Sequence, residues 1–335
     1  METKLIAISA KCPTKDKIKL VADTLKSGNV VAFPTETVYG LGANALDEEA
    51  VKKIYIAKGR PSDNPLIVHI GNINQLNVLV KSIPKKAQLL INKFWPGPLT
   101  IVLKKKSIVP DITSAGLDTV GIRMPSHPIF LEIIKKCDFP IAAPSANSFS
   151  KPSPTTAKDV FEDMNRRISL IVNGGKCKVG IESTIIDLSK EKPVLLRPGG
   201  ISKEDIEHLI GKIEIHPSIS DPLTKVRVAE SPGMKYKHYS PNAKVIIAKT
   251  LDSADNFIRK SKSKMIYYIG TKDINAPVQK KTILKNDVAL TRSIFSSFRE
   301  ADRLSVDFIV VLSIEEKGIG LGLMNRLKKA ASKIV

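Results

Sequence analysis

A chain of 335 residues with a formal net charge of +20, 42% hydrophobic and 26% charged residues, has the make-up of a globular protein of two domains. No run nears the roughly 18 apolar residues a membrane helix needs, and the N-terminus is charged too soon for a secretory signal. Cys12, Cys137 and Cys177 are scattered with no Cys-x-x-Cys pair, which argues against a disulfide framework or a zinc site and for a reducing, cytoplasmic setting with no membrane partner.

The charge invites nucleic-acid contact, but its excess is spread over both halves of the chain. Lys104 to Lys106, Lys328 and Lys329 read as solvated ends of elements. The first unit alternates strand and helix. Leu5–Ile8 is a short apolar strand, and Lys15–Ser27 carries Ile18, Val21, Ala22 and Leu25 at helical spacing, stopped by Gly28. Asn29–Phe33 is a buried strand that ends on the polar, glycine-bearing loop Pro34-Thr-Glu-Thr-Val-Tyr-Gly-Leu-Gly42. Loops at strand ends are where open α/β sheets bind ligands.

Asp47 caps a helix from Glu48 to about Ala57, with Val51, Ile54 and Tyr55 facing inwards. That helix delivers Lys58-Gly-Arg-Pro-Ser-Asp-Asn-Pro. Proline stiffens such a loop, and Lys58, Arg60 and Asn64 held in fixed directions suit an anion, above all a phosphate. A solvated basic turn is the plainer alternative. His69 falls near the end of the strand Leu66–Ile70, where a histidine is more often structural.

Two helices, Ile73–Val80 and Lys85–Phe94, lead to Phe94-Trp-Pro-Gly-Pro-Leu-Thr100, an architectural corner before the strand Thr100–Leu103. The turn from Ala115 feeds an apolar strand containing Arg123. A buried arginine must be paired or meet an acidic ligand. Pro140–Ala143 is a short strand running into Pro144-Ser-Ala-Asn-Ser-Phe-Ser-Lys-Pro-Ser-Pro-Thr155, whose hydroxyls and amides precede a helix start, an anion-binding arrangement. Ile168–Val172, Ser183–Leu188 and the run to Leu196-Arg-Pro-Gly-Gly200 are further strands, and Lys203–Ile210 is a helix.

Periodicity fades from about His216 to Glu230, which marks a linker. It ends on Ser231-Pro-Gly-Met-Lys-Tyr-Lys-His-Tyr-Ser-Pro241, a cluster that folds over a ligand or docks on a domain surface. Strand and helix then alternate again from Lys244 in a small α/β domain. Gly318-Ile-Gly-Leu-Gly322 is only a fragment of a dinucleotide loop. Walker A, G-x-S-x-G and H-E-x-x-H motifs are absent, so a nucleotide would be held by the loops rich in Arg, Ser, Asn and Thr between residues 34 and 200.

Taken in order, Pro34-Thr-Glu-Thr-Val-Tyr-Gly, Lys58-x-Arg-Pro with Asn64-Pro-Leu, Phe94-Trp-Pro-Gly-Pro-Leu-Thr, Pro144-Ser-Ala-Asn, Ser153-Pro-Thr, Glu182-Ser-Thr, Leu196-Arg-Pro-Gly and Lys237-His-Tyr-Ser-Pro resemble the threonylcarbamoyl-AMP synthase family in its long, two-domain form. The resemblance implies a twisted, open, mixed α/β sheet of YrdC-like type with a concave basic cavity over residues 1–212. It further implies a linker over the active site (213–243) and a smaller Rossmann-like α/β domain (244–335). The implied reaction joins L-threonine, bicarbonate and ATP into L-threonylcarbamoyl-AMP with release of pyrophosphate, and a tRNA threonylcarbamoyl transferase complex is the implied partner. Implied for the threonine site are Thr37, His69, Arg123, Ala143 and Ser183. Implied for ATP are Lys58, Arg60, Asn64, Thr119, Ser145, Asn147, Ser153, Arg197, Tyr236 and His238, with Lys58 and Arg60 catalytic. Mg2+ is expected through the ATP phosphates, with no protein metal site of its own. The alternative from another class is an RNA-binding or ribosome-associated module, supported by the charge, and weak tRNA binding belongs to either reading.

Overall fold

The computed structural model describes residues 2–220, 224, 229–236, 238–261 and 264–335. Lys237, part of the linker motif, lies outside them. Eleven strands build the first sheet: β1 (Lys4–Ala7), β2 (Val31–Phe33), β3 (Gly40–Asn44), β4 (Ile67–His69), β5 (Leu99–Lys104), β6 (Thr119–Arg123), β7 (Ile141–Ala142), β8 (Leu170–Asn173), β9 (Thr184–Asp187), β10 (Val194–Arg197) and β11 (Glu214–Ile215). Their order is β1-β8-β2-β3-β7-β4-β6-β5-β9-β10-β11. Parallel pairs such as β4 with β6 mix with antiparallel pairs such as β5 with β6. The sheet runs to Ile215, just past the expected boundary at 212.

A second sheet contains β12 (Lys244–Ala248), β13 (Ile266–Gly270), β14 (Lys280–Ile283), β15 (Phe308–Leu312) and β16 (Ala331–Ile334), in the order β14-β13-β15-β12-β16 and parallel at each pairing. Strand alternation sorts its two faces. Val245 and Ile247 pack with the helices Asp287–Arg303 and Ile319–Ala330, whereas Ile246 and Ala248 pack with the helix Leu251–Lys260.

Local chemistry sets the element ends. The helix Lys15–Lys26 buries Ile18, Val21, Ala22 and Leu25, as their spacing requires. The Asp47 carboxylate accepts from the backbone of Glu49 and Ala50, and Gly59 at φ 63° ends the same helix at Lys58. Thr156 and Asp159 close a capping box at the helix Ala157–Met164.

The first sheet is covered unequally. One face carries the largest core, in which Ala43, Val68, Ile101 and Ile122 meet Val51, Leu76, Leu90 and Val160 from four helices. On the other face, the helices Lys15–Lys26 and Pro128–Cys137 cover only the β2 and β8 end, around Phe33 and Val172. Beyond them this face carries a small buried cluster of strand residues, Ile67, Val102, Ile185 and Leu196, with no helix residue among them. Because Val68 and Ile122 point into the large core, period two turns His69 and Arg123 to this other face, paired across β4 and β6.

One expectation is corrected, and the end of the chain is filled in. The stretch after Pro34 is a hairpin, not a loop throughout, because Gly40–Asn44 returns as β3 against β2. Its glycines suit close packing: a Cβ on Gly42 would stand 2.4 Å from the Phe33 ring. The last helix runs Ile319–Ala330, followed by a further strand, β16. Gly318, Gly320 and Gly322 begin that helix, and a Cβ on Gly322 would stand 2.8 Å from Ile181 Cδ1, so this glycine serves domain packing and not a dinucleotide. No helix among the described residues is long and apolar enough to cross a membrane.

Candidate active site

The corner at Phe94–Leu99 builds the first side of the cleft. The Trp95 indole donates to Leu99 O at 2.7 Å, and the carbonyl of Gly97 accepts from Arg123 Nε at 3.1 Å. Arg123 also donates from Nη1 to the Thr37 hydroxyl at 3.1 Å and pairs with Glu36 at 2.6 Å. His69, one strand over, is buried and its Nδ1 has no protein partner. Burial, then the Arg123 charge, pushes its pKa down to about 3, so the ring is neutral at physiological pH. Ser183 shares a 2.8 Å hydrogen bond with Thr100 and accepts from Arg197 Nη2 at 3.1 Å.

The Lys58 loop forms the second side. Lys58 is buried, and its ammonium donates to Ser145 O at 2.5 Å and Asn147 O at 2.6 Å. It therefore lies beneath the Ser145 loop and fixes it. Burial first, then Arg60, lowers its pKa well below the usual lysine value. Arg60 donates to Asn64 O at 2.9 Å and Pro65 O at 3.2 Å, with Nε free of protein partners. Above Lys58, Ser145 donates to Asn147 Oδ1 at 2.5 Å, and Asn147 Nδ2 donates to Ser148 O and Lys151 O.

The linker lies across the opening as a strap. Pro232, Gly233, His238 and Tyr239 line the cleft, and Ser240 N donates to Ser150 O at 2.9 Å. With the strap in place the cleft is narrow, holding about 60 Å³ of free space. It gathers Thr37, His69, Arg123, Ala143, Ser183, Arg60, Ser145, Asn147, Ser153, Arg197 and His238.

Four expected residues stand off that wall. Lys58 is under it. Asn64 is fully buried behind Arg60 with both amide atoms unpartnered. Thr119 lines the adjoining recess with Ile67, Gly121 and Pro232. Tyr236 turns outward, donating to Asp63 at 2.7 Å, with its ring edge on Phe149.

Several site residues were not expected. Glu36 and Glu182 are the buried carboxylates of the cleft region, each engaged by an arginine, Arg123 and Arg326 respectively. Both lie inside motifs quoted above, so a charge count within those motifs could have found them. Lys329 contradicts its reading as a solvated helix end. Its ammonium donates to Gly233 O at 2.6 Å, and burial, then Arg326 and Arg197, pushes its pKa down to about 7. Nothing in the pattern of that helix signals this. Among the described residues no three His, Cys, Asp or Glu side chains gather as a metal site.

A basic cleft on a sheet face that carries a strap in place of helices, the strap leading into a second α/β domain, has counterparts among known proteins. The family model described as telomere recombination, of the Sua5–YciO–YrdC type, matches residues 23–199, and the model of the threonylcarbamoyl-AMP synthase C-terminal domain matches residues 201–332. These two matches set the class of the chain. A threonylcarbamoyl-AMP synthase of Pyrococcus abyssi is 49% identical over 324 residues, with 94% of each chain covered. One of Bacillus subtilis is 44% identical, with 99% of this chain and 98% of the relative covered. The crystal structure of P. abyssi Sua5 complexed with L-threonine matches with a TM-score of 0.95 at 46% identity, covering 99% of this chain and 100% of that one. The chain belongs to the threonylcarbamoyl-AMP synthase family, and the two-domain α/β architecture expected from its motifs holds.

Proposed function

We propose that the chain condenses L-threonine, bicarbonate and ATP into L-threonylcarbamoyl-AMP and pyrophosphate. The observation that carries this reading is the charge of the cleft. Arg60, Arg123 and Arg197 are all buried, yet among the described residues only Arg123 meets a carboxylate at ion-pair distance. Burying cations without carboxylates is costly, so Arg60 and Arg197 suit a site built for an anionic occupant, as a triphosphate and a carbamate are.

On this reading Thr37, His69, Arg123, Ala143 and Ser183 receive threonine, Arg123 taking its carboxylate. Neutral His69 accepts a hydrogen bond from the free amine, which attacks bicarbonate with loss of water, or the CO2 formed from it with loss of a proton to solvent, to give a carbamate. The carbamate oxygen then attacks the α-phosphate and pyrophosphate leaves. No enzyme nucleophile takes part, so catalysis is positioning and charge neutralisation by Arg60 and Arg197, with Lys58 acting from beneath by holding the Ser145 loop in place. Ser145, Asn147, Ser153 and His238 hold the nucleotide. Asn64, Thr119 and Tyr236 stay within the assignment as contacts at its margins.

Magnesium enters the proposal as an ion carried by the phosphates and water, where it would offset negative charge. Glu36 and Glu182, each already paired with arginine, fit that arrangement better than direct ligation. The proposal also divides the chain into catalytic domain 1–212, linker 213–243 and domain 244–335. It places the chain in the cytoplasm, consistent with three free cysteines, and hands the product to a tRNA-modifying transferase, with weak tRNA contact favoured by the charge of +20.

Pyrophosphate release in bicarbonate buffer with each amino acid supplied in turn tests the reading. Threonine should stimulate it selectively. A rate indifferent to threonine, together with tRNA binding that needs no ATP, would favour the RNA-binding alternative instead.

A further inference from the structure

The C-terminal domain reaches the nucleotide side of the cleft through side chains that the reaction scheme above leaves unused. Arg326, on the helix Ile319–Ala330, has no exposed surface. Its Nε donates to Glu182 Oε2 at 2.9 Å, its Nη1 donates to Pro198 O at 2.5 Å, and its guanidinium lies 5.5 Å from the Tyr239 ring centroid. The other Glu182 oxygen accepts from the Ser153 hydroxyl at 2.5 Å. Contacts thus run without a break from the C-terminal domain to a residue of the cleft wall.

A second buried arginine grips the same loop one residue earlier. Arg299 donates to Pro152 O at 2.6 Å and pairs with Asp163 at 2.8 Å. The approach of the two domains is itself built. Gly322 stands one turn before Arg326, and a Cβ there would meet Ile181 Cδ1 at 2.8 Å and Gly199 Cα at 3.3 Å. From the catalytic side, a Cβ on Gly180 would come within 2.4 Å of Arg292 Cα.

Hydrogen bonds to an ionised, doubly engaged carboxylate are short, strong and directional. A carboxylate held on one oxygen by an arginine Nε–H, with the guanidinium itself anchored through Nη1 on Pro198 O, is a fixed acceptor for a hydroxyl on the other. We infer that Arg326 is a positioning residue of the reaction: by fixing Glu182 it aims the Ser153 hydroxyl, so that the C-terminal domain completes the nucleotide side of the site. This rests on the proposed placement of Ser153 against ATP.

The test uses the full chain, with Arg326→Met, Arg326→Lys and Ser153→Ala measured for threonine-dependent pyrophosphate release and, separately, for ATP affinity by calorimetry. Arg326→Met should raise the KM for ATP about tenfold or more while the KM for threonine stays within about twofold. Arg326→Lys keeps a charge but loses the planar group that reaches Glu182 and Pro198 O together, and should recover only part of the loss. Combined with Ser153→Ala, Arg326→Lys should add little further, because both act on one contact. Adding Glu182→Gln to Arg326→Met should relieve the defect, since it removes a stranded buried charge and keeps an acceptor for Ser153.

An unchanged ATP KM and ATP affinity in Arg326→Met would overturn the inference. So would additive losses with Ser153→Ala, or equal losses toward both substrates that Glu182→Gln fails to relieve. A wild-type chain without threonine-dependent turnover would defeat the functional reading instead, and calorimetry with ATP would still decide on Arg326.

Discussion

Replacing Arg123 by methionine removes its hydrogen bonds to Gly97 and Thr37 together with its ion pair to Glu36. The ion pair has the largest consequence. Its side chains are only 4% and 7% exposed. Removing one partner of such a pair strands a buried charge and costs about 3–5 kcal/mol. The loss carries a pH signature. Burial pushes the Glu36 carboxyl up, but the charge and hydrogen bond of Arg123, with backbone hydrogen bonds at Glu36 and Ser126, together hold it below its usual value. Its stabilising contribution is therefore present above the unfolded carboxylate range and fades only as pH falls through the depressed folded value.

In Arg123→Met, burial, the largest single influence, is opposed only by the backbone hydrogen bonds at Glu36 and Ser126, and the carboxyl should rise above its unfolded value. The variant then gains stability as pH falls, and loses it as pH rises through that raised value. The deficit relative to wild type should be greatest near neutral pH, of the order of 3 kcal/mol or more, and should shrink toward about pH 5. Urea unfolding at a series of pH values measures it, with Arg123→Met/Glu36→Gln alongside. The double variant should recover much of the loss. A deficit that is flat with pH, or a double variant no more stable than the single one, would refute the reasoning.

Arg60→Ala should lower threonine-dependent pyrophosphate release by about a hundredfold or more while the circular dichroism spectrum stays that of the wild type; an unchanged rate would make the Lys58–Asn64 loop structural only. His69, with its pKa pushed down to about 3 from an ordinary 6.5, should contribute stability above pH 6.5 that is lost as pH falls toward 3. His69→Asn should flatten that part of the pH–stability curve, and an NMR titration showing the ring protonated near pH 6 would contradict the assignment. Asp63→Ala frees Lys235 and Tyr236 of the strap. It should leave the thermal midpoint nearly unchanged, because exposed pairs contribute little, yet expose the strap to limited proteolysis; identical cleavage kinetics would show that Asp63 does not hold the strap.

Much of the fold was legible because local chemistry and tertiary packing agree in it. Asp47, Gly59 and the 18-21-22-25 spacing mean the same thing in the sequence and in the structure. Legibility failed where a residue serves a distant partner. Gly40 and Gly42 look like loop residues, but they lie in a strand crossing the Phe33 ring. The sequence reading offers no element between Arg123 and Pro140, where the helix Pro128–Cys137 begins on a proline and buries Ile129, Phe130, Ile133 and Ile134. In the cleft, recognition of ordered motifs supplied the assignments, whereas physical pattern alone marked only an anionic site. Arg326 and Lys329 were invisible because a helix face that docks on another domain shows the same periodicity as one that packs on its own sheet.

Gly180 and Gly322 have a bearing on how such a chain can change over generations. At both places one half of the molecule leans on the bare backbone of the other, at Arg292 and at Gly199. A surface of side chains tolerates drift, since a neighbour can shrink when another grows. Backbone offers no such exchange. The two halves are therefore expected to be inherited and altered as a matched pair, and a chimera joining either half to a foreign counterpart should assemble only where small residues face each other at both positions.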